Sequence, residues 1–270
     1  MSKLEEGLYD LGRLDRLAFL DTPVHRLDPR AKVVTTLVYL VCVVSFGKYD
    51  VLPMLPFVLY PVVLAADGAL PLGFLARKLI AVAPFAVLVG IFNPALDREV
   101  LLHLGSLGIS GGWVSFVSIL VRFFLTTIAA LVLIATTSFS GVCVGLRRLG
   151  VPDVMVTQLL LLYRYIFVLG EETMRMARAR ALRSFDDRGM GLAVYGQILG
   201  HLLLRTYARA GRLYQAMLAR GFDGEVRIVR ALRFTWRDVA FTSGWSALFV
   251  VMRVYNVPLL LGRFMTGLIS

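Results

Sequence analysis

Cysteine is nearly absent from this sequence: Cys42 and Cys143 are the only two in 270 residues. Both lie in or beside apolar runs, which argues against a structural disulfide and leaves the redox compartment unread. Histidine is equally scarce, with His25, His103 and His201. None has a second His, Cys or carboxylate at ligand spacing on one helix face, so no metal site is expected, and His103 reads as a solvated loop residue. A glycine-rich loop followed by Lys-Ser/Thr is missing, which excludes ATP binding of the P-loop kind, and no cofactor is expected. Residues 1–30 are polar and mixed in charge, without the apolar core of a signal peptide, so the first apolar run is expected to stay in the protein as a span. Acidic residues are outnumbered, 18 Asp+Glu against 29 Lys+Arg, for a formal charge of +11. The basic excess alternates with large aliphatics and has no aromatic stacking platform, so nucleic acid is not the expected partner. Clustered His, Asp or Glu inside the apolar segments are lacking too, which weighs against a membrane-embedded enzyme.

Apolar residues are abundant. They make up 58% of the chain, and the mean hydropathy is +0.74. A soluble domain of this size would carry about 45–50%. The excess, broken by basic loops, points to an all-α membrane protein with about five transmembrane helices (four to six). The expected spans are 33–46, 51–66, 79–92, 113–137 and 239–254. Residues 1–27 read as an amphipathic or loosely held cytoplasmic segment. Asp28 and Pro29 together suit a helix N-terminus. The first span is short, so Lys32 and Lys48 are expected to snorkel toward the headgroups. Pro53, Pro56 and Pro61 make the second span irregular. Residues 95–112 form an outer loop, and Trp113 an interfacial entry to the fourth span. Arg122, inside that span, either snorkels or pairs within the bundle, or else lines a substrate path. Ser138–Pro152 reads as a glycine-bearing break. The short outer loops hold Lys48 and Arg98 while most other cations fall on the opposite side, which places the N-terminus in the cytoplasm.

Two long helical patterns follow, from Pro152 and from Leu192 to Arg220. The apolar positions Leu192, Tyr195, Leu199, Leu202 and Leu203 lie near one face of the second, and His201, Arg205, Arg209 and Arg212 on another. Glu171 and Glu172 are adjacent and diverge by about 100° on a helix, so they read as a solvated face rather than an acid/base pair. Between Glu171 and Arg237 there are 13 arginines against 6 acidic residues. The domain plan is therefore 1–151, an N-terminal cytoplasmic segment with four spans; 152–237, a cytoplasmic region built on two long helices; and 238–270, the last span and an apolar tail.

Each long helical pattern ends in the same way: Leu182-Arg183-Ser184-Phe185-Asp186 and Ala219-Arg220-Gly221-Phe222-Asp223. The two arginines are 37 positions apart. Arginine offers a rigid fork suited to a carboxylate, and the small residue after it lets another backbone come close. A dimeric partner with two equivalent acidic grooves would match such a pair. A basic surface resting on anionic lipid is an alternative, but it leaves the repeat unexplained.

The twin motif resembles the signature of the T component of energy-coupling factor (ECF) transporters, the EcfT/CbiQ family: two Ala-Arg-Gly-like tripeptides, one at the end of each of two long coupling helices. Ala219-Arg220-Gly221 matches directly, and Leu182-Arg183-Ser184 departs by Leu for Ala. The run from Val24 to Lys32 is also similar to this family, and the whole chain is closest to the cobalt-type CbiQ subunit. The resemblance implies a multi-pass inner-membrane scaffold that neither binds cobalt nor hydrolyses ATP. Its implied partners are two ATP-binding, CbiO-like subunits, a substrate-binding CbiM-like membrane subunit and a small CbiN-like subunit. Leu182, Arg183, Ser184, Ala219, Arg220 and Gly221 would be the ATPase-docking residues. Nickel or vitamin transport, and a permease forming its own path past Arg122, are the competing expectations.

Overall fold

In the computed structural model, residues 3–96, 100–104, 107–183, 192–224 and 234–255 are described. The protein is an all-α membrane protein, with one small hairpin among the described residues. Its helices are α1 (Lys3–Leu17), α2 (Pro29–Val44), a 3-10 helix (Leu52–Val58) running into α3 (Leu59–Asp67), α4 (Leu72–Gly90) and a single turn, α5 (Asn93–Leu96). The antiparallel strands β1 (Val100–Leu104) and β2 (Leu107–Ser110) come next. Then follow α6 (Gly111–Thr137), α7 (Phe139–Arg148), α8 (Asp153–Ala181), α9 (Leu192–Ala219) and α10 (Trp236–Val254). Three of these, α4, α6 and α8, are by length and composition long and apolar enough to cross a membrane.

The chain divides into two compact units. One comprises residues 14–142 and 232–270, the other 1–13 and 143–231. The core of the first is aromatic. Tyr39 of α2 is fully buried, with ring centroids 4.9 Å from Tyr60 and 5.3 Å from Phe249, and Trp245 lies 5.1 Å from Tyr60. Lipid tails are as apolar as these side chains, so helices here associate through close packing and hydrogen bonds rather than through water exclusion. Ring pairs at such spacings contribute about 0.5–1.5 kcal/mol each beyond area. The phenols are satisfied: Tyr39 donates to the Phe57 carbonyl (3.1 Å), and the Tyr60 and Thr36 hydroxyls meet at 2.9 Å.

Pro53, Pro56 and Pro61 have the expected effect. The segment expected as the second span begins as a 3-10 helix and becomes α-helical only at Leu59. Asp28 caps α2, its carboxylate accepting from the Arg30 amide at 2.9 Å, and Pro29 occupies the first turn.

Several expectations are corrected. Lys32 does not snorkel; it is 2% exposed and donates Nζ to the Thr136 carbonyl of α6 at 2.8 Å. The segment before α2 is not loose, since Leu14, Ala18, Val24 and His25 are buried. Burial, reinforced by the Lys32 ammonium, pushes the His25 imidazole below its ordinary range. The helix α4 starts seven residues before the expected span and takes in Arg77 and Lys78. His103 lies on β1, paired with Gly108, and not in a loop. The region from Ser138 to Pro152 is mostly α7; the chain turns only at Ser138 (φ 65°) and at Gly150 (φ 101°). The apolar tail after Pro258 lies outside the described residues.

Arg122 is committed to the bundle. Its Nη2 donates to the carbonyls of Phe46 (2.9 Å) and Gly47 (3.2 Å), just past the end of α2. Arg253 of α10 reaches the same turn, with Nε to the Ser45 hydroxyl at 2.8 Å, Nη2 to the Ser45 carbonyl at 3.0 Å, and its guanidinium over the Phe46 ring. Two cations thus meet the negative end of the α2 dipole and its open carbonyls. This geometry makes Arg122 a closure for α2 rather than the lining of a path.

Candidate functional site

The second unit carries the twin motif. Its main elements are α8 and α9, 29 and 28 residues long, which pack against each other. At 1.5 Å per residue each reaches about 40 Å. The first half of α8 is apolar, and its last turns hold Arg175, Arg178 and Arg180. Its start is fixed by an ion pair between Arg147 and Asp153. On α9, Ile198, Leu202, Thr206, Leu213 and Met217 are half-buried, while Leu199, Leu203 and Tyr207 are exposed. The apolar face expected from sequence is therefore split. Leu202 is partly covered; Leu199 and Leu203 are not.

Glu172 is likewise not part of a solvated face. It is the acceptor for Arg205 Nη1 at 2.6 Å and is the more buried partner of that pair, whereas Glu171 remains exposed beside Arg175. The Glu172–Arg205 contact bridges α8 and α9. A groove of about 720 Å³ opens from it toward the end of α8, lined by Arg175, Met176, Arg180, Arg183 and His201 among others. Four arginines against one glutamate make it strongly electropositive.

The two motif arginines sit where the helices stop. The last turn of α8 closes with the Leu182 amide on the Arg178 carbonyl (3.0 Å) and the Arg183 amide on Arg180 (2.9 Å). Arg183 is exposed, and Leu182 is 85% exposed. Ser184 lies outside the described residues, as do Asp186 and Asp187.

The end of α9 is described in full. The Gly221 amide bonds to Leu218 (2.9 Å) and the Phe222 amide reaches back to Met217 (3.0 Å), with Gly221 at φ 76°. This is a Schellman cap, in which the residue after the C-cap must adopt left-handed backbone. Arg220 occupies the C-cap itself, exposed to solvent. The chain beyond is tied back by Thr157 of α8, whose hydroxyl donates to the Gly224 carbonyl at 3.2 Å. Neither Arg183 nor Arg220 has a side-chain partner among the described residues.

The cap gives the motif glycine a role the sequence reading missed. A Cβ on Gly221 would meet nothing within 4 Å, so in this chain the glycine is required by its φ and not by crowding. The signal was present as Gly after Arg at the end of a helical pattern, followed by Phe. Gly221→Ala is expected to destabilise the α9 end by about 1–2 kcal/mol, and Gly221→Asn by less, because asparagine tolerates left-handed backbone. Hydrogen exchange at the Gly221 and Phe222 amides would show it; equal protection in the alanine variant would contradict the cap assignment.

Asp238, whose carboxylate holds the N-termini of two helices, was not singled out from sequence, and Glu172 was read there only as part of a solvated face. Thr235-x-x-Asp238 before an apolar run is the pattern of a capping box and could have revealed the first. Among the described residues no group of three or more His, Cys, Asp or Glu gathers to hold a metal ion.

The chain is similar to known membrane transport proteins. Residues 21–232 match the family model for CbiQ, described as cobalt transport protein. The EcfT transmembrane protein of Heliobacterium modesticaldum is 30% identical over 265 residues, covering 89% of this chain and 96% of the relative. The cobalt transport protein CbiQ of Rhodobacter capsulatus is 37% identical over 98 residues, 36% of this chain and 40% of the relative. The nickel permease LarQ of Lactiplantibacillus plantarum is 33% identical over 103 residues, 38% of each chain. The match with these last two spans less than half the length of either. A family model covering most of the sequence and a near full-length relative establish that the chain belongs to the EcfT/CbiQ family, the transmembrane T components of energy-coupling factor transporters.

Proposed function

We propose that this chain is the coupling subunit of an ATP-driven importer of cobalt ions. In this reading it joins two ATP-binding subunits to a separate substrate-binding membrane subunit, and itself neither binds the metal nor hydrolyses ATP. The ATP-binding subunits would be CbiO-like and the membrane partners CbiM-like and CbiN-like. The N-terminus and the arginine-bearing ends of α8 and α9 would be cytoplasmic, consistent with the cationic bias there. The apolar first part of α8, expected from sequence to be cytoplasmic, is long and apolar enough to enter the membrane. The observation that carries the reading is the pair of exposed arginines, Arg183 and Arg220, without side-chain partners among the described residues, at the ends of two long helices that pack as one unit. Each presents a fixed fork to a carboxylate. Ser184 and Gly221 would let the partner's backbone approach. Closure of the ATP-binding dimer would then pull on both helix ends at once and reorient the substrate-binding subunit.

Nickel is the second reading, favoured by the similarity to the nickel permease LarQ. Metal choice would reside in the substrate-binding subunit, so cobalt and nickel are best compared in one assay. Proteoliposomes holding this chain with its ATP-binding and substrate-binding subunits are expected to take up radiolabelled cobalt on ATP addition, and to lose uptake when either partner is omitted. Uptake by this chain and the ATPase alone would show that it forms its own path, and the coupling reading would fall.

A further inference from the structure

The ladder of His201, Arg205, Arg209 and Arg212 on α9 lies outside the two docking motifs, and the structure gives it a setting. The helices α8 and α9 run antiparallel: Glu172 meets Arg205, and Thr157, near the start of α8, meets Gly224 beyond the end of α9. The apolar first half of α8 therefore lies beside the arginine-bearing second half of α9. A second cleft, of about 390 Å³, opens between them on the other side of the Glu172–Arg205 bridge from the first groove. Leu169 and Glu172 stand on one wall, Arg205, Arg209 and Arg212 on the other. The space is of the size that takes a small molecule.

The two walls differ in kind. On α8, Leu162, Ile166, Leu169 and Glu172 follow at intervals of four, three and three, so they form one stripe. Leu162 and Ile166 are exposed. The stripe ends where α8 turns from apolar to charged, and its apolar part is long enough to enter a membrane. On α9, Arg205 is committed to Glu172. Arg209 and Arg212 are exposed, share a face, and have no partner among the described residues. A soluble anion would use only the arginine wall, and an acidic peptide would leave the leucine-isoleucine stripe bare. An amphiphile with a phosphate head and an acyl tail matches both walls.

We infer that this cleft holds the headgroup of one anionic phospholipid, with its phosphate on the guanidinium forks of Arg209 and Arg212 and an acyl chain along Ile166 and Leu162. The site is separate from the docking ends, since Arg212 stands about two turns short of Arg220. The lipid would tie the middle of the α8–α9 hairpin to the membrane surface and leave Arg183 and Arg220 free for the ATP-binding subunits.

The test titrates dioleoyl phosphatidylglycerol or phosphatidylcholine into the full chain in mild detergent and counts bound lipid by native mass spectrometry. One phosphatidylglycerol is expected to bind roughly ten- to thirtyfold more tightly than phosphatidylcholine. Arg209→Ala with Arg212→Ala is expected to remove that preference. Arg175→Ala with Arg180→Ala, the same loss of charge elsewhere on the hairpin, should leave it unchanged. Ile166→Gln is expected to weaken both lipids roughly fivefold and keep the preference. The melting temperature of the Arg209/Arg212 variant should hold. If it falls, Arg209→Lys with Arg212→Lys decides: the charge is kept, and loss of the preference there overturns the site. Equal binding of the two phospholipids, or a preference that survives the double alanine change, overturns the proposal. So does displacement of phosphatidylglycerol by an equal concentration of inorganic phosphate, which would make the cleft a site for a soluble anion. If the double alanine change spares the lipid preference but loses a transporter subunit on co-purification, the cleft is a protein interface and the lipid reading falls.

Discussion

Replacing Arg183 and Arg220 together by alanine is expected to release the ATP-binding subunits and abolish ATP-driven uptake, while the chain itself stays folded. The expectation rests on where the guanidinium groups are. Both are exposed in the free chain and without side-chain partners among the described residues, so the described fold loses no side-chain hydrogen bond when they go. In the assembled transporter each would be buried against a carboxylate. Breaking such a pair from one side leaves the other charge unpaired, at about 3–5 kcal/mol, or roughly two to nearly four orders of magnitude in affinity for each end. Single variants are expected to retain weakened docking through the surviving end. Arg→Lys changes should fall between wild type and alanine, because lysine keeps the charge and loses the two-pronged geometry. Arg175→Ala serves as a control. That arginine forms an exposed pair with Glu171, of a kind worth about 1 kcal/mol or less. The readout is subunit stoichiometry after purification in mild detergent, followed by uptake in proteoliposomes. A double variant that co-purifies with its ATPase at wild-type stoichiometry would show that the arginines do not dock it.

Much of this architecture was legible in the sequence because local rules govern it. Apolar length marked α4 and α6 as membrane-crossing helices but not α8, whose apolar first half was read with its basic end as cytoplasmic. Proline marked the irregular start of the 3-10 segment before α3, and Asp28-Pro29 marked the start of α2. The positions of Arg183 and Arg220 at helix ends followed from the period of the patterns before them. What escaped was set by groups distant in the chain. Lys32 looked like a snorkelling cation until the Thr136 carbonyl, 104 residues away, appeared beside it. Arg122 was ambiguous because its acceptors, Phe46 and Gly47, belong to another helix. Glu172 resembled its exposed neighbour Glu171 and differs only because α9 brings Arg205 to it. Residues 139–148 looked like a break because glycine lowers helix propensity; the helix forms all the same, and the turns fall at its ends, where backbone dihedrals are positive. Gly221 was noted for smallness, but its φ is what this fold uses.

The clasp at Asp238 supports the second large expectation: Asp238→Ala should lower the stability of the first unit by about 3 kcal/mol or more, through two backbone donors left without acceptors. The carboxylate is 3% exposed and divides its oxygens between two helix N-termini. Oδ1 accepts from the Asp28 amide at 2.7 Å, at the N-cap of α2, and Oδ2 accepts from the Thr235 amide at 2.7 Å, at the N-cap of α10. Residues 28 and 238 are 210 positions apart, so this contact fastens α2 to α10. It also has an electrostatic basis. The positive ends of the α2 and α10 dipoles come together at the clasp, where two carboxylates, Asp28 and Asp238, offset them. Asp238→Asn tests this division of labour. Its amide oxygen can serve one donor, but its NH2 would face the other, so it should retain only part of the stability. A melting temperature roughly 6–12 °C below wild type is expected for alanine, using about 2–4 °C per kcal/mol for a chain of this size. Intermediate loss is expected for asparagine. Docking of the ATP-binding subunits at low temperature should survive in both, because Arg183 and Arg220 belong to the other unit. If the alanine variant melts within a degree of wild type, the two amides find other acceptors, and α2 and α10 are held together by their aromatic core alone.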